Sequence, residues 1–165
     1  MIDHYLQRAR FAAQKGTVAY RTDAAPVMAK LVRVFTKLHP ERRLDYQAPS
    51  QRLLFAGETQ DLEEIVGNLL ENAAKWANHS IRVTLAPDGP QRFILRIEDD
   101  GPGIAPEKHD EALKRGQRLD ETKPGTGLGL SIVAELAREY RGTVTLGRSG
   151  LGGLDVQVAL PLASA

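Results

Sequence analysis

The stretch "SIRVTLAPDGPQRFILRIEDDGPGIAP", Ser80 to Pro106, decides the fold. Its two runs, "SIRVTLAP" and "RFILRIED", alternate apolar and polar residues and are rich in β-formers, and the "DGPQ" between them has the chemistry of a turn. Two such strands joined tightly make an antiparallel pair with one buried face. The second run ends in adjacent carboxylates, Asp99 and Asp100, followed at once by Gly-Pro-Gly. Turn chemistry alone explains that ending, and so does a ligand. The rest of the chain has to choose.

Upstream, "TQDLEEIVGNLLENAAKWA" reads as a helix, with Thr59 as N-cap and an apolar stripe of Leu62, Ile65, Val66, Leu69, Leu70, Ala73 and Ala77. At roughly 100° per residue, Asn68, Asn72 and Lys75 share a band within about 60°, at the shoulder of that stripe. Glu64 and Glu71 are placed opposite, facing water. Two amides and an ammonium beside a buried face are costly unless something pairs with them. Alone, they are equally well half-exposed residues bonded to neighbouring loops.

Further upstream, a helix is expected from near Asp23 or Pro26 to Leu38, with Val27, Leu31, Val34 and Leu38 on one face and Pro40 ending it. Arg43–Ala48 and Leu53–Gly57 read as two short strands forming a hairpin across "PSQR". The opening "MIDHYLQRARFAAQKG" spaces Ile2, Tyr5, Leu6, Ala9 and Ala13 at helical intervals before Gly16, and starts without an N-cap.

Downstream, Pro106 to Gly125 has no apolar periodicity, and a loop of about 20 residues is usually functional or disordered. "KPGTGLGLS" then sets Gly125, Gly127 and Gly129 at the start of the helix "GLSIVAELAREYRG", which Gly142 ends. Glycines at a helix N-terminus suit close approach of phosphate. The spacing is neither a Walker A loop nor the dinucleotide fingerprint. "TVTLGRS" and "LDVQVALP" close the chain as a strand pair. Helices and antiparallel hairpins, rather than regular βαβ units, give an α+β two-layer sandwich.

The 165 residues fit one domain; 42% are hydrophobic and 26% charged, as in an ordinary globular protein. A net charge of +1 without a basic run offers no footprint for nucleic acid. Cysteine is absent, which excludes disulfides and thiolate metal sites. No apolar run reaches the ~18 residues of a membrane span, so the fragment is expected to be soluble.

Three features recur in order: Asn-x-x-x-Asn-x-x-Lys, then Asp-x-Gly-x-Gly, then, after the long loop, Gly-x-Gly-x-Gly. In that order "NLLENAAKW" resembles the N box, "DDGPGI" the first glycine box and "GTGLGL" the second glycine box of two-component sensor histidine kinases. The resemblance covers residues 16–165 and is nearest to the short-lid members. It implies the Bergerat fold, a mixed, mostly antiparallel sheet with three helices packed on one face, and ATP bound between the helices and a lid at about residues 106–125. Asp99 would accept from the adenine amine, where guanine presents an oxygen. Gly101, Gly103 and Ile104 would lie beside it, and Trp76 would pack either on the base or in the core. Asn68 and Asn72 would give oxygen ligands to Mg²⁺, and Lys75 would meet phosphate as a point charge. Gly125, Thr126, Gly127, Leu128 and Gly129 would line the nucleotide. Arg118 and Lys123 would reach the β- and γ-phosphates, or are solvated surface charges.

The sequence departs from the family in two places. No phenylalanine-bearing F box is recognisable between Pro106 and Gly125. No His-Glu/Asp-x-x-Thr-Pro motif surrounds His4, His39, His79 or His109. Residues 1–15 are therefore expected to be the end of the dimerisation helix that carries the acceptor histidine upstream. The implied partners are that domain of the same protein and a response regulator. The fragment is expected to be a monomer, and the full protein a membrane-anchored homodimer with this domain in the cytoplasm. Gyrase, Hsp90 and MutL-type ATPases share the fold but use a glutamate four residues before the metal asparagine as base. Here that position is Asn68, which cannot take a proton. An anti-sigma-type serine kinase and a non-enzymatic nucleotide-gated module remain the alternatives.

Overall fold

A computed structural model describes residues 20–114 and 129–163. The strands are β1 (Thr22–Asp23), β2 (Arg43–Gln47), β3 (Leu54–Phe55), β4 (Ser80–Asp88), β5 (Arg92–Asp99), β6 (Thr143–Arg148) and β7 (Leu154–Pro161); the helices are α1 (Ala24–Leu38), α2 (Thr59–Trp76), α3 (His109–Ala112) and α4 (Gly129–Glu139). One 3₁₀ turn, Pro106–Lys108, precedes α3. The expected first helix, residues 1–15, lies outside the described residues.

The main sheet has five strands in the order β2-β4-β5-β7-β6. Its β4–β5 hairpin pairs Ile81 with Asp99 and Asp88 with Arg92, as the alternation of the two runs predicts. Among the described strands only β2 runs parallel to its neighbour, β4. The other pairings are antiparallel. Parallel neighbours need a long crossover, and α2 supplies it. Helices α1, α2 and α4 pack side by side on one face of the sheet. Ile81, Val83, Leu85, Phe93, Leu95, Ile97, Val156 and Val158 meet the buried stripe of α2 there, which contains every residue expected for it except Ala77, buried just past the end of the helix. The α+β two-layer sandwich is thus the observed architecture.

Three local readings are corrected. The runs around Arg43 and Leu53 are not a hairpin. β3 leaves β2 altogether, pairs with β1 and bridges Phe55 to Leu162. Alternation in short runs marks a buried face but not a partner, and Phe55 is held by packing against Phe93 and Tyr140, with ring centroids 6.1 and 4.8 Å away. In α1 the buried side is Ala24, Val27, Met28 and Val32, while Val34 and Leu38 are 43% and 64% exposed. The helix turns Met28 and Phe35 toward the core instead. Thr59 is the first helical residue rather than the N-cap, which is Glu58.

Helix α4 ends as its sequence suggests, but with roles redistributed. Arg141 takes the left-handed conformation (φ 59°), and the Gly142 amide bonds to the Ala137 carbonyl at 2.7 Å, a Schellman closure. Gly142 is needed for a different reason: a Cβ there would lie 2.2 Å from the Ala159 carbonyl. The same end of α4 is tied to the start of α2, where the buried Tyr140 hydroxyl donates to Asp61 at 2.5 Å.

The opposite face of the sheet carries charge. Asp45, Arg82, Glu98 and Asp155 stand in one row across β2, β4, β5 and β7. Arg82 grips Glu98 with two bonds of 2.9 and 3.0 Å, and Arg96 grips Asp155 at 2.9 and 2.7 Å. Ser149, just past β6, donates to Glu98 at 3.0 Å.

Candidate nucleotide site

Alternation along β5 sends Glu98 to the charged face and Asp99 to the helix face. Asp99 is 3% exposed. Its Oδ1 accepts the Gly101 amide at 2.9 Å and the Leu154 amide at 3.2 Å. Its Oδ2 has no donor among the described residues. Burial pushes this carboxyl above the ordinary aspartate range; the amides of Gly101 and Leu154 pull it part of the way back, and the charge of Asp100 adds to the rise. A buried acceptor without a donor is costly, so the geometry leaves a place for a donor.

Asp100 does different work. It accepts the Asn78 amide at 2.8 Å and the His79 amide at 2.9 Å, and its carbonyl takes the Asn78 side chain at 2.9 Å. Burial raises its carboxyl, but the amides of His79, Ser80 and Asn78 outweigh that and hold it below the usual value. One carboxylate therefore closes the connection between α2 and β4, and its neighbour faces inward.

The glycines after them are required by the protein itself. A Cβ on Gly101 would lie 2.3 Å from the carbonyl of Trp76, the last residue of α2, so the turn and the helix end meet backbone to backbone. Gly103 has φ +74°, which a side chain tolerates poorly. Ile104 packs against the core, and His109 hydrogen-bonds its carbonyl at 3.0 Å.

On α2, Asn68, Asn72 and Lys75 are half-buried, as the shoulder position predicts. The Asn68 amide nitrogen donates to the Glu64 carbonyl at 2.7 Å, one turn back, which turns Oδ1 away from its own helix. A Cβ built on Gly129 would come 3.8 Å from that oxygen, so the first residue of α4 sits beside Asn68. Asn72 makes no hydrogen bond to any described residue. The Lys75 ammonium lies 5.3 Å from the centre of the Trp76 ring, a cation–π contact. Trp76 is half-buried, and it is not among the hydrophobics packed in the described core. Glu64, expected to face water, is half-buried, because one helical turn places it beside Asn68; Glu71 is exposed as expected.

The structure thus sets the glycine turn after Asp99 against the end of α2, and the described start of α4 against Asn68 about two turns earlier on the same helix. Arg118, Lys123, Gly125, Thr126, Gly127 and Leu128, and the part of the expected lid beyond residue 114, lie outside the described residues. Among the described residues no three His, Cys, Asp or Glu side chains converge to hold a metal. The amide oxygens of Asn68 and Asn72 suit instead a hard cation that keeps waters and binds through phosphates. Sequence reading missed Gly153 and the Leu154 amide. They act through backbone, and the only trace in the sequence is the paired Gly152–Gly153 before β7.

The sequence model of the histidine kinase-, DNA gyrase B- and HSP90-like ATPases matches residues 57–164, which hold every element of this site. The chain belongs to this family. It is an ATP-binding catalytic domain of the sensor histidine kinase type, and its neighbours in sequence are similarly named. It is 41% identical over 141 residues to the sensor protein kinase CarS of Pseudomonas aeruginosa, covering 85% of this chain and 31% of that protein. It is 32% identical over 160 residues to the sensor protein PhoQ of Escherichia coli, covering 95% and 32%. The domain therefore spans about a third of the length of these curated relatives. In structure it matches the mycobacterial sensor histidine kinase MprB with TM-score 0.80 at 25% identity, over 90% of this chain and all of that one.

Proposed function

We propose that this domain binds ATP with Mg²⁺, reads the adenine through Asp99, and presents the γ-phosphate to a phosphoacceptor histidine outside residues 16–165. The single observation that supports the base reading is the Asp99 carboxylate: buried, one oxygen saturated by two amides, the other without a donor among the described residues. An exocyclic amine supplies the missing donor, and a guanine oxygen does not. Trp76 and the Gly101–Gly103 turn flank the base, and Ile104 backs it.

Asn68 and Asn72 would hold Mg²⁺ through their amide oxygens, and the ion would supply neutralisation of phosphate charge. Lys75 moves from the Trp76 face to a phosphate oxygen, while Gly129 and the amides after it meet the phosphates. Arg118, Lys123 and the backbone of Gly125, Thr126, Gly127 and Leu128 complete the phosphate contacts. Transfer then needs only positioning: an imidazole nitrogen forms the N–P bond as the bond from the γ-phosphorus to the bridging oxygen breaks and ADP leaves. The acceptor is a histidine of a dimerisation domain outside residues 16–165, and the phosphoryl group passes on to a response regulator. The whole protein is a homodimer anchored in the inner membrane, with this domain on the cytoplasmic side. Among the described residues no helix is long and apolar enough to cross a membrane.

Hydrolysis is the rival reading, and Asn68 argues against it, because an amide stands where those ATPases place their base. The test has two arms. Calorimetric titration compares a non-hydrolysable ATP analogue with a GTP analogue, each with Mg²⁺, and only the former binds. γ-Labelled ATP is then offered with a supplied acceptor-histidine domain. Label on the histidine supports the kinase reading; binding without transfer to that domain, or transfer to a serine, refutes it.

A further inference from the structure

The β6–β7 turn, residues 149–153, lies 50 residues downstream of Asp99 yet controls it. Gly153 donates its amide to the Asp99 carbonyl at 3.0 Å, and the next amide, of Leu154, goes to Oδ1. A Cβ on Gly153 would fall 2.3 Å from Asp99 Oδ1, 2.5 Å from the Gly101 nitrogen and 2.6 Å from the Asp99 carbonyl oxygen. Two of those three atoms are backbone, so a side chain there cannot be absorbed by a rotamer change. The turn has to back away and take the Leu154 amide with it.

The turn is itself strapped down. Ser149 and Gly153 close it through a 2.8 Å amide–carbonyl bond, and Gly152 (φ +111°) returns its amide to the Ser149 carbonyl at 3.0 Å. The Ser149 hydroxyl oxygen accepts the Leu151 amide at 2.9 Å and its hydrogen goes to Glu98 Oε1 at 3.0 Å. Glu98, 1% exposed, is fixed by Arg82 on the far face of the sheet. Two consecutive residues of β5 thus hold one turn from both sides: Glu98 through Ser149, Asp99 through Gly153 and Leu154.

We propose that Gly153 and Ser149 are positioning residues for base recognition: the turn pins Asp99 Oδ1 on two amides and so determines that Oδ2 alone is offered to the nucleotide. The proposal rests on the reading of Asp99 as the adenine acceptor. Without the pin the carboxylate is free to rotate, both oxygens share the amides and water, and the preference for an amine over a carbonyl oxygen weakens.

The test uses the domain as it stands, with Asp99→Asn, Gly153→Ala and Ser149→Ala variants. Each is titrated at low temperature with Mg²⁺ and the ATP analogue, then the GTP analogue, and its melting temperature is measured separately. A merely structural role lowers the melting temperature but leaves the affinity and base selectivity of the folded protein unchanged. A positioning role changes both. Gly153→Ala is expected to lose about tenfold or more in ATP affinity, and Ser149→Ala about threefold to tenfold, each with reduced discrimination against GTP. If Asp99→Asn loses binding but Gly153→Ala, folded, matches wild type in affinity and selectivity, the positioning role is overturned while the reading of Asp99 stands. If Asp99→Asn binds as wild type does, the reading of Asp99 fails and the inference falls with it. Should Gly153→Ala not fold, Ser149→Ala decides alone: wild-type affinity and selectivity overturn the proposal, and their loss supports it.

Discussion

Replacing Asp99 by asparagine separates a base-reading carboxylate from a turn residue, because the two roles respond with opposite signs. The amide oxygen of the introduced side chain can keep both bonds now made by Oδ1 at 2.9 and 3.2 Å, so the turn survives. The NH₂ group then occupies the position of Oδ2 and faces the adenine amine donor to donor. A hydrogen bond to a charged acceptor contributes about 1.5–3 kcal/mol, which is about 10- to 150-fold in Kd. The donor clash places the loss toward the upper end, at about 100-fold. It also narrows the gap to GTP, whose oxygen now finds a donor. Stability moves the other way. The folded carboxyl is raised above its ordinary value chiefly by burial, so this group stabilises the fold fully below about pH 3.8 and loses that contribution as pH rises through the raised value. At neutral pH the charge is a burden, and the neutral amide leaves the nucleotide-free melting temperature unchanged or higher. Binding needs the ionised form, so wild-type affinity falls as pH drops through the raised value, while the variant is flat there. Calorimetry across pH and thermal melts read both effects. Affinity within about twofold of wild type, joined to a lower melting temperature, would refute the reasoning.

Tyr140→Phe removes the buried donor to Asp61 and is expected to cost about 2 kcal/mol, or a melting temperature lower by about 4–8 °C. Tyr140 is raised above 10 by burial and by the hydrogen bond and charge of Asp61, so wild type loses stability as pH climbs past 10 and the variant has a shallower alkaline slope in denaturant titrations. Glu98 is lowered: burial raises it, but the bonds from Arg82 and Ser149 and the charges of Arg96 and Arg82 win. Its contribution is present above about pH 4.5 and lost as pH falls through the lowered value. Glu98→Gln should therefore destabilise by about 1–2 kcal/mol at neutral pH, softened because Arg82 stays 41% exposed, and converge on wild type in acid. Finally, the isolated domain should release phosphate from ATP at negligible rate in a coupled assay; turnover of several per minute would mean that a base has been overlooked.

The elements whose pattern repeats along the chain are legible in the sequence alone. The β4–β5 hairpin and the α2 stripe follow from periods of two and of 3.6, and the Asn band is a phase relation within one helix, so local geometry suffices. The order of the three boxes points to the family for the same reason: each motif carries its chemistry within a few residues. Partnership between distant segments is another matter. The short runs of β2 and β3 look like a hairpin, yet α2 carries the chain across so that β2 lies parallel to β4, while β3 is drawn to β1 and the Phe55 cluster. The face of α1 is misread from sequence because a helix with apolar residues on two sides does not say which side meets the sheet. At the site, "IEDDGPGIAP" names the right carboxylate, but only the fold shows Oδ1 capped by Gly101 and by an amide from β7, with Oδ2 left over. Period and motif are properties of neighbours in the chain; burial and the matching of a donor to an acceptor depend on residues that become neighbours only when the chain is folded.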